Sequence, residues 1–138
     1  MIKLFYKISY FYIKNESLFI KEICIILNNE GMNIGDINYI FCNDDFILDM
    51  NKKYLQKNFY TDVLAFDYSI KQCISGDIFI SVDRVLDNST QWNQFFLVEL
   101  KRVMIHAILH FLGYDDKKKM DKKIMKKKEE FYLNLFQF

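Results

Sequence analysis

Between residues 2 and 8 the apolar side chains are interrupted only by lysines, which predicts a first strand with apolar residues on both faces. The spacing then changes. Phe19, Ile20, Ile23, Ile26 and Leu27 recur at threes and fours, predicting a helix capped by Asn15 or Ser17 and closed by Gly31. Residues 36–42 have the composition of a buried strand. Asp44 and Asp45 are cap residues for a second helix whose inner face is Phe46 or Ile47, Met50 and Tyr54. Residues 61–66 form a short strand-like run, and after a polar loop Gly76 and Asp77 introduce another at residues 78–82. A short helix is expected from Asp83 to Asn88.

The longest periodic stretch, residues 94–112, predicts a helix about 30 Å long. It is apolar nearly all round, from Phe95, Phe96 and Leu97 to Ile108 and Leu109, so it is expected at the centre of the core. Its polar exceptions, Glu99, Arg102, His106 and His110, follow one another at spacings of three, four and four. A buried helix with one polar stripe lines a cleft. A last helix, residues 118–135, is expected to turn Met120, Ile124, Phe131 and Leu135 inward and its lysines outward. This order predicts an α+β (α/β sandwich) fold: one small mixed sheet of about four strands packed against helices, with the histidine-bearing helix buried centrally. With no internal repeat or linker, residues 1–138 are expected to form one domain.

Composition adds restraint. Lysine supplies nearly all the positive charge, the arginines being Arg84 and Arg102, and much of it lies in residues 117–128. Yet proline is absent, and Ile, Lys, Asn, Phe and Tyr abound, the imprint of an AT-rich genome; lysine content alone is therefore weak evidence for a nucleic-acid partner. Cys24, Cys42 and Cys73 have neither metal-ligand nor redox spacing and read as small apolar residues in a reducing compartment. Residues 1–14 lack the apolar core of a signal peptide, and no run approaches the ~20 apolar residues that span a bilayer. A soluble, cytoplasmic protein without a membrane partner is expected.

The chemistry concentrates in one stretch, His106-Ala107-Ile108-Leu109-His110-Phe111-Leu112-Gly113-Tyr114-Asp115-Asp116. It holds both histidines of the chain, and at i and i+4 on a helix their rings reach a common point. Gly113 can take the positive φ that ends a helix and sends the chain back, aiming Asp116 at the same point. Two imidazoles and a carboxylate form a zinc-type site whose bound water, acidified to a pKa of roughly 7, is the expected catalytic group. Asp115 competes with Asp116 for the third position. The spacing matches the extended zinc-protease signature, but Ala107 stands where that signature needs its glutamate base, which argues against peptide hydrolysis.

The stretch resembles the signature of the YbeY family of bacterial endoribonucleases, His-Gly-x-Leu-His-Leu-x-Gly-Tyr-Asp-His. Asn51 and Tyr54, followed by Thr61-Asp62-Val63-Leu64-Ala65-Phe66, resemble that family's Asn-x-x-Tyr-Arg and Thr-Asp-Val-Leu-Ser-Phe segments, and Gly76-Asp77-Ile78 its Gly-Asp-Ile strand start. Order and spacing agree from about residue 48 to Glu129 and Glu130. The resemblance implies one zinc ion held by His106, His110 and Asp116, without an organic cofactor. It also implies single-strand-directed cleavage of RNA, maturation of the 3′ end of small-subunit ribosomal RNA, ribosome quality control, and the small ribosomal subunit as partner.

Four departures qualify it: Asp116 replaces the usual histidine, Ala107 a glycine, Ala65 a serine, and Leu55 an arginine implicated in activity. Leucine cannot contact phosphate, so Lys52, Lys53 and Lys57 are candidates for the RNA contact, as point charges without the bidentate fork. Glu99, Asp62 and Arg102 are candidate catalytic helpers, with a structural Arg102–Glu99 pair as the other reading. The alternatives are a ribosome- or RNA-binding protein with a structural or vestigial metal and, less favoured because of Ala107, a metallopeptidase.

Overall fold

The structure, a computed structural model, describes residues 1–55 and 61–136. Its elements in chain order are β1 (Ile2–Tyr6), α1 (Glu16–Asn29), β2 (Asn33–Cys42), α2 (Asp44–Leu55), β3 (Val63–Asp67), β4 (Cys73–Ser81), α3 (Val82–Gln91), α4 (Phe96–Phe111) and α5 (Lys119–Leu135). The sheet order is β1-β2-β4-β3, with β1 and β2 parallel, β2 and β4 parallel, and β3 antiparallel to β4. Parallel neighbours need crossovers, and α1 supplies the first while α2 and β3 lie within the second. The α+β fold with a four-stranded mixed sheet is the one the hydrophobic pattern predicts.

Alternation along the two central strands decides what packs where. Register sets Ile37, Tyr39 and Phe41 of β2 beside Gly76, Ile78 and Ile80 of β4, on one face. Helix α4 lies on that face, where the Tyr39 hydroxyl donates to the Met104 carbonyl at 3.0 Å. Gly76 lets the end of α4 come close: a Cβ there would stand 2.6 Å from the Phe111 ring and 2.4 Å from the Phe66 carbonyl. Phe79, on the other face, stacks with Phe46 of α2 at 6.0 Å. Leu100, Val103, Met104, Ile105, Ala107, Ile108 and Leu109 are all buried, so α4 is the central helix.

Local expectations need several corrections. Strands β2 and β4 begin at Asn33 and Cys73, earlier than their apolar runs, because their polar ends pair with each other, Asn33 opposite Cys73. Asn43, not Asp44 or Asp45, caps α2, its Oδ1 accepting from the Phe46 N–H at 2.8 Å. Asp44 instead accepts from Ser81 Oγ at 2.7 Å and pairs with Arg84 at 2.8 Å. Tyr54 is exposed rather than inward, and so are Phe95 and Leu97 at the start of α4. The largest reversal is in α5. Met120, Ile124, Phe131 and Leu135 are exposed, and the inward stripe is Met125, Glu129 and Tyr132, continued past the helix end by Phe136. Among the described residues no helix is long and apolar enough to cross a membrane.

Candidate metal centre and its cleft

One helical turn separates His106 from His110, and their rings meet edge to face with centroids 4.6 Å apart. Their Nε2 atoms are 3.0 Å apart. The chain then reverses through a helix-ending turn in which the Gly113 N–H bonds the His110 carbonyl and the Tyr114 N–H the Leu109 carbonyl, both at 3.0 Å. This requires positive φ at the residue after the cap, and Gly113 has φ +100. The reversal carries Asp116 back, so that its Oδ2 lies 3.4 Å from each Nε2. Asp115 is occupied elsewhere, its Oδ1 accepting from the Asp116 N–H at 2.8 Å.

These three atoms suit a small divalent ion. Donors bonded to zinc at about 2.0–2.2 Å stand about 3.3–3.6 Å apart at the corners of a tetrahedron; both 3.4 Å separations to Asp116 Oδ2 fall in that range, and the two Nε2 atoms, at 3.0 Å, stand slightly closer. The donor set, two imidazole nitrogens and one carboxylate oxygen, is one that such an ion accepts.

Behind the ligands lies a buried ion-pair network. Glu129 of α5 hydrogen-bonds His106 Nδ1, which fixes the tautomer with Nε2 free to ligate. Arg102 donates to Glu99 through Nε at 2.8 Å and Nη2 at 2.6 Å, and to Glu129 through Nη1 at 3.3 Å. Asp62 completes the surround at 4.0 Å. Both glutamates are buried, and the guanidinium between them hydrogen-bonds both and offsets one of their two negative charges. Hydrogen bonding to Glu99 raises Arg102 above even its ordinary value, against the lowering effect of burial. At His106 burial is the strongest influence and pulls the pKa down, but the Glu129 hydrogen bond and the charges of Glu129 and Asp116 outweigh it, leaving the imidazole above 6.5.

His106 and Asp116 open onto a cleft of about 940 Å³ between α4 and α5, walled also by Trp92, Arg102, Lys122 and Lys126. Of the expected polar stripe on α4, Glu99, Arg102 and His106 line the cleft, and His110 is not among its lining residues. Lys122 and Lys126 bring the basic helix to it, whereas Lys128 is turned away to Glu30 at 3.1 Å. Lys52 and Lys53 are exposed on the last turn of α2 and are not among the cleft-lining residues; Lys57 lies outside the described residues. Ala107, at the position of a peptidase base, is buried.

A model of the family described as Endoribonuclease YbeY matches residues 9–137. The chain belongs to the YbeY family. Its relatives of that name include one from Karelsulcia muelleri (strain GWSS), 47% identical over 133 residues that cover 96% of this chain and 94% of the relative. Another, from Flavobacterium psychrophilum, is 43% identical over 136 residues, covering 99% of this chain and 96% of the relative. A solution structure of a Thermotoga maritima protein has the same fold, with a TM-score of 0.69 and 27% identity over 97% of this chain and 87% of that one.

Within the YbeY signature of this chain, the carboxylate of Asp116 thus reaches the point that the two histidines define. Two residues of the cleft carry more than the sequence suggested. Glu129 marked only the end of the family resemblance, although a carboxylate in register with Met125 and Tyr132 on a lysine-rich helix signals an inward charge with a buried partner. Trp92, the single tryptophan, lies in a turn where no periodicity points to a site.

Proposed function

We propose that this chain is a zinc-dependent endoribonuclease that cuts single-stranded RNA and acts in maturation of the 3′ end of small-subunit ribosomal RNA and in ribosome quality control. The observation that carries the reading is the convergence of His106 Nε2, His110 Nε2 and Asp116 Oδ2, with His106 and Asp116 opening onto a cleft that Lys122 and Lys126 also line, in a chain of the YbeY family. A zinc ion held there would supply Lewis acidity and lower the pKa of a coordinated water to about 7.

The chain's own groups divide the remaining work. Glu129 orients His106 and stabilises its positive charge if the ring takes a proton. Lys122 and Lys126 face the cleft, where ammonium groups neutralise RNA phosphates without reading sequence. Arg102, locked between Glu99 and Glu129, serves as the counter-charge of that network, not as a free phosphate clamp. The small ribosomal subunit is the proposed partner, and the cytoplasm the proposed compartment.

The test is cleavage of a 3′-extended small-subunit rRNA by the purified protein, together with elemental analysis of its metal. Cleavage should stop on chelation and return with zinc, and His110→Ala should lose both metal and activity. Cleavage that survives chelation and His110→Ala alike would overturn the reading.

A further inference from the structure

Trp92 is exposed at 53%, an unusual position for the largest apolar side chain of the protein, and it lines the cleft. Its backbone is fixed by the turn that ends α3. The Trp92 N–H bonds the Asn88 carbonyl at 3.0 Å, the Asn93 N–H bonds that of Thr90 at 3.3 Å, and the Gln94 N–H bonds that of Ser89 at 2.8 Å. Asn93 takes the positive φ of 52 that this turn requires, which asparagine tolerates better than most residues. The ring is steadied as well, with the Arg102 guanidinium 5.4 Å from its centroid. Because Glu99 and Glu129 hold Arg102 from its other sides, the indole rests on a fixed support.

A rigid aromatic beside a cation, in a cleft with Lys122 and Lys126 on α5, has the chemistry of a single-strand nucleic-acid platform. Aromatic side chains stack bases while neighbouring lysines follow the phosphates. We propose that Trp92 forms a nucleobase-stacking subsite, seating a base on the indole while Lys122 and Lys126 contact the strand's phosphates, in the cleft onto which His106 and Asp116 open. Gln94 stands in the same wall, and its side-chain amide can donate to and accept from a base edge. This inference rests on the reading of the chain as one that acts on single-stranded RNA.

As the sole tryptophan, Trp92 reports on itself. The probe is a 2′-O-methyl ten-nucleotide oligoadenylate, compared with the same backbone carrying abasic sites. The oligoadenylate should quench tryptophan emission on binding and bind on the order of tenfold or more tightly than the abasic strand. By anisotropy of the labelled probe, Trp92→Ala should lose about the same factor and Trp92→Phe only a small part of it. The slope of affinity against salt should stay unchanged, because the lysines remain. Equal affinity for the two strands, or a Trp92→Ala variant that keeps its metal and binds like the wild type, overturns the subsite. Base-dependent binding without RNA cleavage supports the subsite and sinks the nuclease reading; cleavage with binding indifferent to bases or to Trp92 does the reverse.

Discussion

Glu129 and His106, 23 positions apart in sequence, share a hydrogen bond at His106 Nδ1 across the α4–α5 interface. The same carboxylate receives Arg102 through its other oxygen, so one buried group orients a candidate metal ligand and pairs with a buried cation. Removing such an outer partner typically lowers metal affinity 10–100-fold. Glu129→Ala is expected to fall in that range and to lower thermal stability, since Arg102 keeps only part of its counter-charge. Glu129→Gln retains an acceptor for the ring and should lose less affinity than Glu129→Ala. Zinc competition with a chromophoric chelator ranks the three proteins, and equal affinities would contradict a positioning role.

The two adjacent aspartates should separate cleanly in the same assay. Asp116 offers its oxygen 3.4 Å from both histidine nitrogens, while Asp115 caps the neighbouring backbone. Asp116→Ala should reduce metal retention far more than Asp115→Ala. Asp116→His, which restores the residue usual in the family signature, is expected to support a metal site and to make the ion a stronger Lewis acid by removing a negative charge. If Asp115→Ala strips the metal and Asp116→Ala does not, the assignment of the third ligand is reversed.

Particular residues explain how far the sequence could be read. Ile37, Tyr39 and Phe41, and the apolar length of α4, made the sheet and central helix legible because burial there is driven by continuous apolar pattern. The clustering of His106, His110 and Asp116 was legible because helical spacing and a glycine turn are local geometry. The inner face of α5 was not. Met120, Ile124, Phe131 and Leu135 align in one stripe, but the network around His106 and Arg102 draws Glu129 inward, and the helix rotates to suit. Periodicity gives the phase of a helix only when apolar contacts alone set it, and here a buried charge competes. Lys52 and Lys53, near Leu55 in sequence, are exposed on α2 and are not among the cleft-lining residues, whereas Lys122 and Lys126 line the cleft from α5.

Gly113 predicts a different kind of loss. A Cβ there meets nothing within 4 Å, so space is no obstacle; the φ of +100 is. Gly113→Ala should cost roughly 1–2 kcal/mol of stability through the backbone alone. Because the turn aims Asp116, the variant should also retain less zinc, a fall that a purely conformational penalty remote from the site would not cause. Thermal melts and metal content of the same preparation test both parts. A variant that melts lower yet holds zinc normally would show that Asp116 does not depend on this turn.

A pH-sensitive anchor lies away from the cleft, at Glu30. Its carboxylate accepts from the hydroxyls of Tyr114 (2.7 Å) and Tyr132 and from Lys128 (3.1 Å), tying the α1–β2 turn to the end of α4 and to α5. Burial is the largest influence and raises its pKa, but the three hydrogen bonds together with the lysine charge hold it below 4.5. A carboxylate depressed by folding binds its proton more weakly in the folded than in the unfolded chain. Its stabilisation is therefore complete above the ordinary value of 4.5 and is lost as pH falls through the lower folded value. Glu30→Gln keeps one acceptor oxygen, so at pH 7 it should cost about 1–2 kcal/mol, less than the loss of every charged hydrogen bond at the site. Denaturant melts of wild type and variant should converge as the buffer is taken from pH 7 to below pH 4. A gap that stays constant over that interval would mean that the ionised carboxylate contributes nothing beyond its shape.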